Sequence, residues 1–419
     1  MLIGAALTIA GLAGLAAATT PAFASTPGAS RPAMLLPGSA RLSSVYCTSS
    51  TDCWAVGLVT AQSSAYLNEA FHWNGMKWAK GTIPSPGGRK AGDESDLTAV
   101  RCTSSASCWA VGNYFSSTKT GLQTLHWNGK KWGQVVSPAP GSGMGHFSYL
   151  QDIACTSASS CWAVGAYGTD TVAGEHSDNL TLHWNGRKWF KVASPDPAGT
   201  KLNDVNALEA IRCTSPSDCW AAGSAGVAGP ISIQLNEMLH WNGKHWAEAN
   251  VPSPGGFMNG AYSAISSLSC TSAGDCWAVG SYGGESISSS LSLNAAFHWN
   301  GHQWSQVKTP NPDGTGMNAE NELNSVSCSA ASNCWSVGDL GTISSGGAET
   351  GEVLHWKGSK WTLTKAPDPG GTGASDQNDF ASVRCVSQKD CWIAGFSRAD
   401  PDPDLNLFLH WNSKSWSAS

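Results

Sequence analysis

The chain has 419 residues, a formal net charge of −6 and only 13% charged residues. Nucleic-acid binding needs a lysine- and arginine-rich surface, and the sequence has no basic run. The same feature argues against binding to anionic membranes. After the N-terminal segment, no apolar stretch of about 20 residues could span a bilayer. We therefore expect a protein that contacts neither nucleic acid nor a membrane.

The first 40 residues differ in composition from the rest of the chain. Residues 1–24 are apolar and rich in small residues, and they end in Pro21-Ala22-Phe23-Ala24, an A-x-A cleavage signal. We expect a secretory signal peptide that is cut between Ala24 and Ser25, which places the protein outside the cell. Residues 25–40 are rich in Ser, Pro, Gly and Ala, and we expect them to form a flexible leader.

Residues 41–419 consist of seven copies of one unit, with boundaries at about 41–94, 95–147, 148–205, 206–262, 263–320, 321–377 and 378–419. Each copy contains a C-x5-C pair whose second cysteine is followed by tryptophan. This spacing matches none of the common zinc sites, and exported proteins meet oxidising conditions. We therefore predict one disulfide per copy: Cys47–Cys53, Cys102–Cys108, Cys155–Cys161, Cys213–Cys219, Cys270–Cys276, Cys328–Cys334 and Cys385–Cys391.

Each copy is predicted to form four short antiparallel strands, A to D in chain order. Strand A ends at the first cysteine, strand B begins at the second, strand C ends at a His-Trp pair, and strand D begins at a later tryptophan. An Asn-Gly pair, a strong hairpin signal, joins C to D in most copies. Seven such units predict an all-β, seven-bladed β-propeller. Immunoglobulin-like domains fit less well because each needs about 100 residues.

The pattern Val-x-Cys-x5-Cys-Trp-Ala-Val-Gly, followed by His-Trp-Asn-Gly-x-x-Trp, resembles exported seven-repeat β-propeller proteins of actinobacteria. The resemblance covers residues 41–419, implies a propeller fold and transfers no catalytic residues. The Asn-Gly-x-x-Trp hairpin is also distantly similar to the Asp-box of sialidase-type propellers, although tryptophan, as at Trp73, fills the aspartate position.

The residues that recur in every copy are best explained as structure. Seven equivalent histidines around a wide ring would not converge on one ion, and we expect each to hydrogen-bond to backbone nearby. The three tryptophans of each copy are expected to pack between blades. Function is expected where the copies differ, in the B–C and D–A loops, which lie on one face of the propeller and are called the variable face here.

Candidate ligand-binding residues lie on the variable face. Three tyrosines follow the glycine of strand B at the same offset: Tyr114, Tyr167 and Tyr282. The connection from the second copy to the third adds His146 and Tyr149, and the B–C loop of the third copy adds Glu175 and His176. These residues could bind a ligand or a metal or perform acid–base chemistry. Solvated loop residues are the alternative interpretation, because these residues have no recognised spacing.

Two further groups of charged residues are notable. Asp400, Asp402 and Asp404 alternate with prolines and could hold calcium through carboxylate oxygens, although a stiff acidic loop explains them equally well; otherwise we expect no cofactor. Arginine precedes the first cysteine in copies two, four and seven, and these side chains would meet only if all three pointed into a central channel: Arg101, Arg212 and Arg384.

The sequence contains no Ser-His-Asp elbow, P-loop or dinucleotide fingerprint, so we predict no catalytic residues. We predict a secreted, monomeric binding or adhesion module that recognises a glycan or an extracellular or cell-envelope protein through its variable face. The alternative is an extracellular glycoside hydrolase or lyase with its site at the channel mouth, because propellers host both binding and catalysis.

Overall fold

A computed structural model describes residues 36, 38–141, 145–171, 174–229, 232–286, 289–341 and 348–419, without the side chains of residues 285–290. The predicted signal peptide, residues 1–24, and most of the predicted leader lie outside the described residues. The described residues form β-strands and connecting segments and contain no helix. They accordingly include no helix able to cross a membrane. The prediction of an all-β protein is confirmed.

The strands of the described residues follow one another in seven consecutive units of four. Units 1 to 3 contain β1 (Ala40–Ser49), β2 (Asp52–Thr60), β3 (Tyr66–Trp73), β4 (Trp78–Gly81); β5 (Glu94–Ser104), β6 (Ser107–Phe115), β7 (Thr120–Trp127), β8 (Trp132–Gln134); and β9 (His146–Ser157), β10 (Ser160–Thr171), β11 (Gly174–Trp184), β12 (Trp189–Val192). Units 4 and 5 contain β13 (Asp204–Ser215), β14 (Asp218–Val227), β15 (Ile233–Trp241), β16 (Trp246–Glu248); and β17 (Ala261–Ser272), β18 (Asp275–Ser286), β19 (Ser289–Trp299), β20 (Trp304–Gln306). Units 6 and 7 contain β21 (Asn321–Ala330), β22 (Asn333–Leu340), β23 (Thr350–Trp356), β24 (Trp361–Leu363); and β25 (Gln377–Ser387), β26 (Asp390–Arg398), β27 (Leu405–Trp411), β28 (Trp416–Ala418).

Within each unit the four strands pair antiparallel in chain order. The two cysteines of a unit lie opposite each other on its first and second strands, as Cys102 and Cys108 do, and all seven predicted disulfides are formed. Structural disulfides are typical of proteins that fold in an oxidising compartment. The predictions of four-stranded units and of one disulfide in each are therefore confirmed.

The first strands of the units contact one another in cyclic order, and β25 of the last unit contacts β1 of the first. Each first strand carries a β-bulge a few residues before its cysteine, as at Ser43 in β1 and Glu209 in β13. A bulge leaves one residue unpaired and redirects its side chain. The bulged residues Ser43 and Glu209 thereby face the space that the first strands enclose.

Tryptophans form the contacts between units. Trp109 of unit 2 is 1% exposed and packs against Trp184 and Trp189 of unit 3, with ring centroids 4.9 and 5.1 Å apart. The same arrangement joins each unit to the next. At the junction of the last unit with the first it is formed by Trp392, Trp73 and Trp78. The expectation that the tryptophans pack between units is confirmed.

The seven repeated histidines stack on these buried tryptophans. His298, for example, lies 4.7 Å from Trp277, and its Nε2 is 2.6 Å from the Asp275 carboxylate in the same unit. The equivalent position, just before the second cysteine, supplies the partner in every unit: Asp52, Ser107, Ser160, Asp218, Asp275, Asn333 and Asp390. The predicted structural role of the seven histidines is confirmed. The expectation that each would hydrogen-bond to backbone is wrong, because each histidine contacts a side chain.

Candidate functional site

The first strands enclose a cavity of about 450 Å³ on the axis of the molecule. All seven first strands line it, mostly with residues six or four positions before the first cysteine, and β14 and β26 add Ser224 and Phe396. Because these positions lie in the first half of each first strand, the cavity is in the half of the channel nearer the variable face. Its polar lining includes Arg41, Asp96, Thr98, Gln151, Glu209, Ser266, Glu322, Asn324 and Asp379.

The carboxyl groups of this cavity are half-buried. Burial raises the pKa of Glu209 to about 7, and burial together with neighbouring carboxyls raises that of Asp379 to about 7 as well. The pKa of Asp96 rises to about 6, first through burial and then through Glu94. The cavity therefore contains carboxyl groups that exchange protons near neutral pH, which is the range in which a carboxyl can act as a general acid or base.

One group of carboxylates is close enough to share an ion or a proton. Oxygen atoms of Asp339, Glu349 and Asp379 lie within 4.8 Å of one another. Asn324 donates a hydrogen bond to Asp339 Oδ1 at 2.7 Å, and Gln377 donates one to Glu349 Oε2 at 2.8 Å. Burial, followed by the charges of the other acids, raises the pKa of Asp339 well above its ordinary value. Such a group can hold a divalent cation through oxygen ligands or perform acid–base chemistry.

Among the lining residues of the cavity, the one cationic side chain, Arg41, lies beside the one aromatic ring, Phe396. The Arg41 guanidinium carbon lies 4.0 Å from the centre of the Phe396 ring, and the Arg41 Nε lies 2.5 Å from Asp404 Oδ2. Both partners belong to the last unit, whereas Arg41 belongs to the first. The side of the cavity between β1 and β26 is therefore built from the two ends of the chain.

The three predicted tyrosines do not line this cavity. Tyr114 packs over Gly121 on the adjacent strand, Tyr167 packs against the hydrophobic cluster between units 2 and 3, and Tyr282 packs against the cluster between units 4 and 5. Lys191 donates a hydrogen bond to Tyr167 Oη at 2.6 Å. Burial, followed by Asp178, raises the pKa of Tyr167 to about 12. The three side chains are half-buried at equivalent places in units 2, 3 and 5.

The predicted residues of the third copy lie close together but in different surroundings. His146 and His176 both pair with Thr169, so they occupy one row of the sheet with a strand between them. His146 is exposed, whereas His176 Nδ1 donates a hydrogen bond to the Asp204 carbonyl at 3.1 Å and His176 Nε2 lies 3.2 Å from Asp178 Oδ1. The histidines are therefore about 10 Å apart across the sheet, two strand spacings.

Tyr149 and Glu175 differ in burial: Glu175 is half-buried, and burial followed by the charge of Asp170 raises its pKa. Tyr149 is 1% exposed, packs with Ala166 and Ala207, and has no hydrogen-bond partner for its hydroxyl among the described residues. Burial raises its pKa well above the ordinary value, and the charges of Glu209 and Glu175 add to the effect. Of the residues predicted from the sequence, Tyr149 thus lies next to a carboxyl group, Glu209, that lines the cavity.

The three aspartates of the seventh copy have different roles in the structure. Asp400 and Asp402 are exposed. Asp404 is 2% exposed in its side chain and pairs with Arg41, with Arg398 Nη1 3.7 Å away. The carboxylate group described above, with oxygens close enough to share an ion, is formed by other residues.

Sequence reasoning missed the cavity carboxyls. A signal was present, because the positions six and four residues before the first cysteine vary in chemistry, whereas the positions five and two residues before it are apolar in every copy. They carry Arg41, Asp96, Glu322 and Asp379 at the first position and Glu209 at the second. Attention to variation between loops alone overlooked variation within the innermost strands.

A second depression, of about 500 Å³, lies between the disulfide hairpins of units 4 and 5. Asp218 is its ionisable residue, and this carboxylate is already held 2.6 Å from His240 Nε2. Its other lining residues are small or disulfide-bonded. The axial cavity is therefore the better candidate.

Comparison with known proteins identifies the fold. No family model and no curated protein sequence matches the chain. Among solved structures it is similar to the GH74 xyloglucanase from Xanthomonas campestris, with a TM-score of 0.55 and 14% identity; the match covers 91% of this chain but only 55% of that one. It is also similar to a polysaccharide lyase of family PL25, an ulvan lyase bound to -[GlcA(1-4)Rha3S]-, with a TM-score of 0.57, 9% identity, and coverage of 93% and 98%. These likenesses, together with the four-stranded units, show a β-propeller fold.

Proposed function

We propose that the protein is an extracellular, monomeric, seven-bladed β-propeller that binds a glycan in its axial cavity. The cyclic contacts of the first strands and the tryptophan packing between units 7 and 1 support a closed ring of seven blades. The seven disulfides support export. The polysaccharide-degrading enzymes with similar folds are compatible with a carbohydrate ligand, although fold alone does not assign one.

The observation that carries the proposal is the lining of the cavity. About 450 Å³ lies within the range of small-molecule sites. Carboxyl, amide and hydroxyl groups surround it, as at Glu209, Gln151 and Ser224, and these groups hydrogen-bond to sugar hydroxyls. Carboxyl groups outnumber the single arginine of the lining. We therefore expect the cavity to prefer neutral or amino sugars over sulfated or uronic-acid polymers.

Calorimetric titration of the oxidised protein with neutral, amino-sugar and anionic oligosaccharides tests this proposal. Glu209→Gln should weaken binding at least tenfold, or about 1.4 kcal/mol, because it changes a hydrogen-bonding group of the cavity. Glu248→Gln, on the exposed fourth strand of the same unit, is the matched control. Absence of binding by every sugar, or equal affinity of both variants, would exclude a glycan site in this cavity.

The same titrations separate the axial cavity from the variable-face tyrosines and from calcium. If Tyr167→Phe weakens binding and Glu209→Gln does not, the ligand lies on the variable face near unit 3. Repetition with calcium and with EDTA tests the calcium hypothesis at Asp400 and Asp402. Asp404 is less available as a ligand, because its carboxylate already pairs with Arg41.

A second candidate function, glycoside hydrolysis or lyase cleavage, is favoured by Asp339, Glu349 and Asp379. Their carboxyls lie close together, and the raised pKa of Asp379, about 7, suits a proton donor at neutral pH. Release of reducing ends, or of an unsaturated product, from a bound polysaccharide would reveal such an activity. Asp379→Asn should then abolish turnover while binding persists, whereas a pure binding protein would release no product.

A further inference from the structure

Three arginines, from units 2, 4 and 7, face the channel at one level. Arg101 of unit 2 and Arg384 of unit 7 both stack on the ring of Tyr46 in unit 1, with guanidinium carbons 4.5 and 4.3 Å from its centre. Arg384 Nη2 also donates a hydrogen bond to Tyr46 Oη at 3.3 Å. All three residues immediately precede the first cysteine of their units, so their strands present them to the channel at one level.

Arg212 of unit 4 joins the same group. Its Nη1 donates to Asp152 Oδ2 at 3.2 Å and to the Ile211 carbonyl at 2.8 Å. Its pKa is lowered to about 10, first by burial and then by the positive charge of Arg101, with a smaller contribution from Arg384. The three guanidinium groups are therefore near enough to repel one another.

This arrangement leaves hydrogen-bond donors and positive charge without matching acceptors. Among the described residues, one carboxylate pairs with this group of arginines, and it joins Asp152 to Arg212. Within the described part of the chain, the buried Nε of Arg384 has no acceptor, and the Arg101 guanidinium lies over the face of the Tyr46 ring. Burying like charges together is unfavourable unless an opposite charge offsets them. The side chains of the three arginines and of Tyr46 are half-buried, so a ligand can reach them from the channel.

We propose that Arg101, Arg212, Arg384 and Tyr46 form a binding site for an oxyanion, that is, a sulfate, phosphate or carboxylate group. Guanidinium groups present paired donors that match the oxygens of such anions, and the Tyr46 hydroxyl can donate one more hydrogen bond. The site lies three residues further along the first strands than the bulged positions, roughly 10 Å from the axial cavity. It is therefore a second site, at the opposite end of the channel, and does not depend on the glycan proposal.

The first experiment is titration of the protein with inorganic sulfate and phosphate, with chloride at equal ionic strength as the reference. Arg101→Gln and Arg384→Gln should each reduce affinity about tenfold or more, because each removes a charged donor. Arg187→Gln, in an exposed hairpin of unit 3, is the matched control and should bind as the wild type does. Equal effects of sulfate and chloride, or equal losses in all three variants, would overturn the proposal.

A second measurement guards against misfolded variants. The pKa of Tyr46 is lowered, chiefly by the charge of Arg101. A bound anion offsets that charge, so sulfate should raise the Tyr46 pKa, which is read from the tyrosinate absorbance as the difference between wild type and Tyr46→Phe. An unchanged difference titration in saturating sulfate would also overturn the proposal, whether or not the arginine variants fold.

Comparison of ligands distinguishes the two sources of the oxyanion. If the site serves a polymer, a sulfated oligosaccharide should bind at least tenfold more tightly than inorganic sulfate, and Arg384→Gln should remove that advantage. If the site serves a free anion, inorganic sulfate or phosphate should bind as tightly as the oligosaccharide. Either result supports an oxyanion site, whereas failure of both probes to bind refutes it.

Discussion

Asp404 in the last unit and Arg41 in the first are joined by an ion pair, with Asp404 Oδ2 2.5 Å from Arg41 Nε. Around this pair, the Ala40 amide donates to the Asp404 carbonyl at 2.9 Å, and the Asp404 amide donates to Ser39 Oγ at 3.2 Å. The two ends of the propeller chain are therefore connected by buried polar contacts in addition to tryptophan packing.

Asp404→Asn should destabilise the protein strongly, because it leaves the Arg41 charge half-buried without its partner. Loss of one member of a buried pair costs about 3–5 kcal/mol, and we expect roughly 3 kcal/mol here because the Arg41 side chain is 30% exposed. Denaturant unfolding measures the change. Asp402→Asn, at an exposed position two residues earlier, should alter stability by less than about 0.5 kcal/mol; equal effects of the two variants would argue against the pair.

The tryptophan contacts provide a test of ring closure. Trp392 packs between units 7 and 1 as Trp109 packs between units 2 and 3, and each is 1% exposed. Trp109→Ala should cost about 3–5 kcal/mol. Trp392→Ala should cost a similar amount if the first and last units form a junction like the others. A much smaller effect on unfolding at Trp392 would indicate that this junction opens in solution.

The sequence was sufficient to predict the features that recur in every repeat. The C-x5-C hairpins, the four strands of each unit and the packing of the tryptophans recur seven times, and each involves residues near in sequence or at one repeat's distance. The cavity and the arginine site depend on which side chains meet on the axis. Glu209 and Asp379 line one cavity, and Arg101 and Arg384 contact one tyrosine ring, only because the strands that carry them surround one channel.

The ligand-binding residues predicted from the sequence also differ from the residues that line the axial cavity. Tyr167 and Tyr282 are predicted as ligand-binding residues because they follow the glycine of strand B at one offset on the variable face, and in the structure they pack against hydrophobic clusters and do not line the axial cavity. The position six residues before the first cysteine carries Asp96 and Asp379, and alternation along the first strand turns it towards the axis. The period of two could have located these residues once the first strand was taken as the innermost.

The cavity carboxyls should make stability depend on pH. The pKa of Glu209 is about 7 in the folded protein against an ordinary 4.5, so the folded state holds this proton more tightly than the unfolded state. Its contribution to stability is fully present below pH 4.5 and is lost as the pH rises through 7. The Tm should therefore fall between pH 5 and 8, and Glu209→Gln should reduce that fall, because it removes a buried charge that forms at higher pH.

Asp379→Asn should also reduce the fall of Tm between pH 5 and 8, since the pKa of Asp379 is also about 7. Calorimetric scans across this pH range provide the measurement, and Glu248→Gln, at an exposed site, should leave the slope unchanged. If the Glu209 and Asp379 variants keep the wild-type slope, these carboxyls do not titrate near neutral pH, and the case for acid–base chemistry in the cavity fails with them.

The units differ in the side chain that contacts the repeated histidine, and His355 of unit 6 can be compared with its equivalents. Its imidazole stacks on Trp335 with ring centroids 3.8 Å apart, and its Nε2 lies 2.7 Å from Asn333 Oδ1. Burial, followed by Lys357, lowers the pKa of His355 to about 4. Four other units carry aspartate where this one carries Asn333: Asp52, Asp218, Asp275 and Asp390.

Asn333→Asp should raise the pKa of His355 by about one unit or more, because a carboxylate at hydrogen-bond distance favours the imidazolium form. An NMR titration of the histidine ring protons, assigned with His355→Gln, measures the change. In the wild type, the lowered pKa contributes stability above pH 6.5 that is lost as the pH falls towards 4. The aspartate variant should therefore lose less stability on acidification, and a His355 pKa that stays near 4 would show that burial, rather than the identity of the partner, controls this histidine.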